Sequence, residues 1–434
     1  MSAHNQFQLP RQITDASHGH ILTNTAVWSP DGEWLVYDIR SDPAGSIFNG
    51  KRIERVHVDS GRVEVPYERQ NDACCGVATY HPSDEKVVFI LGPEHPNSDW
   101  QYSACHRQGM IVNTSQPQEI YPLDARDLTP PFTPGALRGG THVHVFSRDG
   151  KFVSFTYDDH ILTELGENQR NIGMSLVDRP VIVPRSHPRN HDGTAFSVLV
   201  TKTVNQPQPG SDEICRAYED AWIGSQGYVR SDGSRQTHAL AFLGDVITAN
   251  GQTITELFAV DLPQDMTVEG TEPLAGTETR RPAPPLGTMQ RRLTYTADRK
   301  HPGLQGPRHW PRSSPDGSQI AFLMRDDNGH VQLWTISPNG GLPRQITHQP
   351  FDIASAFTWH PNGVDVAATA DGSVWLIDTT SRETRRLTRA ASEKFSPLGE
   401  ACVFSPDGRQ IAYVQPVHRD GATYNQIFVV ETGL

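Results

Sequence analysis

A short cassette returns seven times along the chain: an apolar or aromatic strand end, a Ser/His-Pro-Asp/Asn-Gly-type turn, then a second apolar strand. The clearest copies are Trp28-Ser29-Pro30-Asp31-Gly32 before Trp34-Leu35-Val36-Tyr37, and Phe404-Ser405-Pro406-Asp407-Gly408 before Ile411-Ala412-Tyr413-Val414. Looser copies are Tyr80-His81-Pro82-Ser83-Asp84, Phe146-Ser147-Arg148-Asp149-Gly150, Ser314-Pro315-Asp316-Gly317 and Trp359-His360-Pro361-Asn362-Gly363; a degenerate one is Arg230-Ser231-Asp232-Gly233. Proline presets φ, Asp bonds its own backbone and Gly accepts positive φ, so each cassette is a tight turn between two strands. Gly317, Gly363 and Gly408 follow one another at 46 and 45 residues, the length of one four-stranded unit in a repeat fold. Wider gaps from Gly32 to Gly317 mark loops inserted in the first half.

A second signal ends the units: Arg291-Arg292-Leu293-Thr294, Arg344-Gln345-Ile346-Thr347 and Arg385-Arg386-Leu387-Thr388. The same signature, Arg11-Gln12-Ile13-Thr14, stands before any cassette, whereas Gln426-Ile427-Phe428-Val429-Val430 has none after it. The N-terminal strand is therefore expected to complete the last unit and remove free sheet edges. The reading is an all-β, seven-bladed β-propeller over residues 1–434, a single domain. Residues 262–289, with Arg281-Pro282-Ala283-Pro284-Pro285, are expected to be a flexible insertion within one blade.

The cassette resembles the Ser-Pro-Asp-Gly repeat of the TolB-like β-propellers, and the resemblance covers nearly the whole chain. That superfamily includes periplasmic interaction proteins, peptidase propeller domains and oligogalacturonate-lyase-like enzymes. Gly139-Gly140-Thr141-His142-Val143-His144-Val145-Phe146-Ser147 and His187-Pro188-Arg189-Asn190-His191-Asp192-Gly193 are similar to an uncharacterised bacterial branch.

A net charge of −12 without a basic tract argues against nucleic acid. No apolar run approaches the roughly 18 residues of a membrane span. The polar stretch Met1 to Thr14 has no signal-peptide core, and five cysteines including the adjacent Cys74 and Cys75 are no disulfide framework. These features point to a cytoplasmic protein with reduced thiols.

In a propeller the cassette turns leave one end of the innermost strand, so the long loops gather at the other end. That face receives Arg40, His95, His106, His142, His144, Asp158, Asp159, His160, His187, Arg189, His191, Arg216 and Tyr218, with Arg308, His309, Arg325 and His418 from later blades. Nineteen histidines is a high number for 434 residues, and their gathering on one face is the main functional clue. On a strand, His142 and His144 point to one side; against a site role stands packing of one imidazole between blades. Gly139-Gly140 suits a close backbone approach to a ligand. His160 is expected to return to the same face. The loop bearing Arg189, Asn190 and His191 suits a carboxylate, which Arg grips bidentately; an ordinary polar turn is the plainer alternative. Tyr218 and Arg216 precede an inner strand, where Tyr218 serves equally well as packing. The cysteines and tryptophans are assigned to core and turns.

There is no Gly-x-Ser-x-Gly elbow, Gly-rich phosphate loop or His-Glu-x-x-His. His, Tyr and Arg together can perform β-elimination at a uronic acid: a cation neutralises the carboxylate, a base removes the adjacent proton and an acid protonates the leaving oxygen. Propeller-shaped lyases of uronate glycans use two His, a Tyr and an Arg, and His142, His160, Tyr218 and Arg230 or Arg235 are similar to that pattern in order. This resemblance implies an acidic oligosaccharide substrate, with His142 or His144 as base and Tyr218 as acid. His160, Arg189, Asn190, His191, Arg216 and Arg235 would bind substrate. Oligogalacturonate lyases hold manganese through a late His/Gln cluster; here only scattered His348, His360 and His418 occur late, so no cofactor is certain and a divalent ion, manganese or calcium, is the option. The alternative is a non-catalytic module binding a protein or peptide.

Overall fold

The computed structural model describes residues 7–40, 42, 47–167, 169–306 and 310–434; Arg308 and His309 lie outside them. Seven four-stranded antiparallel sheets follow one another round a ring, joined by a parallel and an antiparallel pair of two-residue strands. The second blade contains Cys74–Tyr80, Lys86–Gly92, Gln108–Asn113 and Ile120–Pro122; the third contains Gly139–Phe146, Phe152–Asp159, Asn171–Leu176 and Phe196–Leu199. The last consists of Cys402–Phe404, Gln410–Arg419 and Ala422–Glu431, completed by Arg11–Gln12. Arg11 pairs with Val429 and Gln12 with Phe428, so the N-terminal strand closes the ring as the repeat signature requires. No helix among the described residues is long and apolar enough to cross a membrane.

The cassette works by the same bonds in blade after blade. Ser29, Ser147, Ser314 and Ser405 each donate to the Asp two residues on. Their hydroxyls in turn accept the N–H five residues on, at 2.9–3.1 Å. Where His replaces Ser, the imidazole takes over as acceptor: His81 Nδ1 accepts the Asp84 N–H at 2.9 Å and His360 Nδ1 that of Asn362 at 3.0 Å. Gly32 occupies φ +75°, where a side chain would strain the turn.

Two further contacts link neighbouring blades. The Trp before the turn donates its indole N–H to the preceding blade: Trp28 to Val403 O, Trp222 to Val145 O and Trp359 to Arg312 O, at 2.9–3.0 Å. The first Arg of the outer-strand signature reaches the next blade: Arg291 to Pro338 O, Arg344 to Thr379 O, Arg385 to Thr432 O and Arg11 to Val58 O. The signature's Leu or Ile is buried. Its Thr accepts the N–H of the third strand, as Thr294 does for Leu257, Thr347 for Leu333, Thr388 for Val374 and Thr14 for Ile427. Residues 262–289 do not stand free: Met266 and Leu274 enter a core cluster and Arg138 donates to Arg280 O at 2.7 Å.

Thr14→Ala removes the acceptor of a buried N–H at the closure, and Arg385→Ala removes a link between the sixth and seventh blades. Each variant should lower stability by about 1–2 kcal/mol in urea unfolding, and Thr14→Ser should restore most of the first loss. A Thr14→Ala protein as stable as the parent would contradict this account of closure.

Candidate active site on the loop face

The inner strands of the second, third and fourth blades each contain a non-glycine residue in the left-handed region, Val77 (φ 56°), Val143 (φ 54°) and Glu219 (φ 56°). At each the ladder slips by a bulge, which re-aims side chains. His142 and His144 therefore do not share a side, contrary to simple alternation. His142 lines a cavity of about 180 Å³ at the channel mouth with Asp38, Arg40, Phe48, Trp310 and Glu400. His144 is fully buried between blades, with Nε2 2.9 Å from Thr141 Oγ1. A Cβ on Gly109 would come within 2.6 Å of that nitrogen. His144 is thus a packing residue, and the base role expected of either histidine is open to His142 alone.

Burial first, then the nearby Arg107 and Arg170, hold the His142 pKa well below the usual imidazole value, so the ring is neutral at pH 7. Arg40 also acts on it, and is itself paired with Asp38 at 2.7 Å. Arg107 donates from Nε and Nη2 to the Tyr102 hydroxyl at 3.0 and 2.7 Å. Tyr102 stacks on Phe48, with ring centroids 5.3 Å apart. Phe48 in turn lies beneath the Arg40 guanidinium at 4.8 Å. His142 and Arg40 thus share one cavity with Phe48, and the Tyr102 phenol and Arg107 are linked to it through the Phe48 ring.

A second group adjoins it on the loop between Gly92 and Gln108. Buried Trp100 stacks on His106 at 3.6 Å and meets His160 edge-on at 5.2 Å. His106 Nε2 lies 3.2 Å from His160 Nδ1. Arg126 and Arg189 pass over Trp100 at 5.4 and 5.2 Å. Arg126 pairs with Glu94 at 2.8 Å, and Arg189 donates to the Glu94 and His95 carbonyls. The two groups are continuous, since Arg126 Nη2 donates to Arg107 O at 3.1 Å.

Of the residues singled out from sequence, His142, His160 and Arg189 reach this face as expected. His191 adjoins it, its backbone paired with Arg126 and its pKa lowered to about 4 by burial and then by that arginine. Tyr218 does not join them. Its hydroxyl donates to Asp245 at 2.9 Å and meets Thr255 at 3.0 Å, and its ring packs on the cluster between the fourth and fifth blades. Burial, then Asp245, raises its pKa, and the bonds to Asp245 and Thr255 hold the hydroxyl within its own blade. Arg216 lies over the Tyr218 ring and stays with the fourth blade. Arg235 sits on the small hairpin Tyr228–Val229 with Arg235–Gln236, beside the cassette turns, and is bound to Gln226 O. Asn190 is buried and spends its amide on Asp127, Pro184 O and the Leu128 N–H; it shapes the loop and is not free for substrate. Gly139 and Gly140 admit protein rather than ligand: a Cβ on Gly140 would lie 2.2 Å from Ala104 O.

Trp100, Tyr102, Cys105, Arg107 and Arg126 are not among the residues that the sequence points to. The available signal was density: four of them fall in the longest loop of the second blade, beside His106. Assigning tryptophan and cysteine to core by type concealed it.

The fold and this face define a closed seven-bladed β-propeller whose channel mouth on the loop side is lined by histidine, arginine and aromatic groups. The chain is 50% identical over 411 residues to the uncharacterized protein YidR of Escherichia coli (strain K12), covering 93% of this chain and 94% of that protein. It belongs to the YidR family. The model of the family described as "Protein of unknown function (DUF3748)" matches residues 74–191, the segment that carries Trp100, His106, Arg126, His142 and His160. Among solved structures, an oligogalacturonate lyase in complex with manganese aligns with a TM-score of 0.56 at 12% identity, covering 97% of this chain and 92% of that one. An oligogalacturonate lyase from Vibrio parahaemolyticus aligns at 0.52 and 10% identity, with the same coverage. Puromycin hydrolase aligns at 0.55 and 12%, over 96% of this chain but 53% of its own. At such identities the likeness is one of fold.

Burial alone lowers the His144 pKa to about 3. A depressed histidine leaves stability intact above the unfolded pKa near 6.5 and loses it as pH falls from there towards the folded value. His144→Gln should therefore be less stable than the parent at pH 7, and the gap should narrow by up to about 1.4 kcal/mol per pH unit between pH ~6 and ~4. Parallel urea titrations that show a constant gap would refute a neutral, buried His144.

Proposed function

We propose that this protein binds an acidic oligosaccharide at the loop-side channel mouth and cleaves it by β-elimination. The observation that carries this reading is the chain of contacts round neutral His142: Arg40 and Phe48 share its cavity, Arg107 acts on its charge and donates to the Tyr102 phenol, and Tyr102 stacks on Phe48. Arg107 and Arg40 neutralise the uronate carboxylate, which acidifies the adjacent C–H. His142 takes that proton. The glycosidic C–O bond breaks, and Tyr102 protonates the departing oxygen while a C=C bond conjugated to the carboxylate forms. Phe48 and Tyr102 offer a stacked aromatic platform for a sugar ring. The proton donor of this scheme is Tyr102, in place of Tyr218.

A second reading, a non-catalytic module for a protein or peptide, is favoured by the opposite end of the channel. There a cavity of about 540 Å³ is lined by Trp28, Phe146, Trp222 and Trp359 with the cassette prolines. Apolar and aromatic walls of this kind suit an extended peptide.

Incubation with a panel of uronate oligosaccharides should generate the ultraviolet absorbance of an unsaturated uronate. His142→Ala and Tyr102→Phe should each lower kcat by about 10²-fold or more, and Arg107→Ala should chiefly raise KM. Because the His142 pKa is depressed, the acid limb of kcat/KM should fall below pH ~6.5. No product across the panel, with and without divalent ions, would reject the lyase and leave the binding module.

A further inference from the structure

The group beneath Trp100 has a composition that elimination does not require. We propose that Cys105, His106 and His160 bind a borderline-soft divalent cation, zinc in the first instance. Their ligand atoms, Sγ, Nε2 and Nδ1, all lie within 4.8 Å of one another. His106 Nε2 and His160 Nδ1 are 3.2 Å apart, and Cys105 Sγ is 4.0 Å from the same Nδ1. A tetrahedral zinc ion with bonds of about 2.0–2.3 Å separates its ligands by about 3.3–3.6 Å, so small side-chain movements suffice.

The hydrogen bonds around the two rings point the same way. His106 Nδ1 lies 2.7 Å from Gln101 O; a carbonyl only accepts, so Nδ1 carries the proton and Nε2 presents its lone pair to the cluster. On the other ring, His160 Nε2 lies 3.5 Å from Glu164 Oε1, a contact that favours a proton on Nε2 and leaves Nδ1 as a lone pair. Without an ion, the Nδ1 tautomer of His160 can donate to His106 Nε2 across the 3.2 Å. A cation between the rings takes the place of that proton, with an oxygen beside each far nitrogen, the usual support of a metal-bound histidine.

Burial and stacking hold the ligands. Cys105 is buried, Trp100 clamps His106, and the short helical turn Ala104–His106 is seated against the backbone of Gly140. Arg126 is the arginine that acts most on both rings, and its charge is offset by Glu94 at 2.8 Å; Arg189 lies near the same carboxylate at 4.0 Å. Three protein ligands leave a coordination position for water or a ligand oxygen, as in catalytic rather than structural zinc sites. Binding displaces the thiol proton, one per ion.

The donor set selects the ion. A thiolate with two imidazoles suits zinc or cobalt, whereas manganese and calcium favour oxygen. The manganese or calcium expected from sequence is therefore not the ion for this cluster. A second group, His18, His20 and Glu54, has harder donors, but Arg52 already rests on Glu54 at 2.5 Å. No step of the elimination passes through the zinc site, so either proposal can fail alone.

Chelator-treated protein should take up one zinc per chain in competition with a chromophoric chelator. With cobalt it should show tetrahedral ligand-field bands and a thiolate charge-transfer band. Cys105→Ser should abolish the charge-transfer band and weaken zinc binding at least about tenfold. His160→Gln should weaken binding similarly, and Cys215→Ser should change neither, with folding checked by circular dichroism. Absence of stoichiometric uptake, a charge-transfer band that survives Cys105→Ser, loss of binding in His18→Ala instead, or preference for manganese over zinc would each overturn the proposal.

Discussion

Ring closure is the interaction on which the rest of this structure depends. The final blade has three strands from the C-terminal end of the chain, and its fourth is Arg11–Gln12. Thr14 then takes up the Ile427 N–H across 413 positions, and Arg11 reaches on to Val58 in the first blade. Without that strand the outer edge of the last sheet would present unpaired donors and acceptors. The closure must form from the most distant contacts in the chain, so its loop entropy is compensated only when the intervening blades are already packed.

Once closed, the ring separates two tasks. Cassettes, indole donors and the signature arginines repeat because every blade must meet its neighbours in the same way. The insertions carry the differences. The loop from Gly92 to Gln108 and the segment around Arg189 overhang the second and third blades, where Trp100 organises two histidines and two arginines. The left-handed residue at Val143 turns its inner strand so that one histidine of the pair lines the cavity and the other enters the core.

Much of the architecture was legible in the residues because its causes are local. Ser-Pro-Asp-Gly dictates a turn whatever surrounds it, and the Arg-x-Leu-Thr signature announced the closing strand. The site was legible only by face. His142, His160 and Arg189 were placed on the correct side, but Tyr218 was grouped with them from order along the chain, and its hydroxyl is held by Asp245 in its own blade. Asn190 looked like a ligand-binding donor and is a buried loop tie. Arg235 belongs to the cassette end.

The sequence alone determined the number of blades, the turn chemistry and the strand that closes the ring, since each follows from short-range pattern and period, and it singled out the His, Arg and Tyr side chains of the loops. Only the tertiary structure decided which of those side chains meet. A bulge at Val143 reverses the facing of everything after it. The pairing of Tyr102 with Arg107, and of His106 with His160, depends on how a long loop folds back over two blades. Such contacts are set by packing between segments distant in sequence, and no local pattern encodes them.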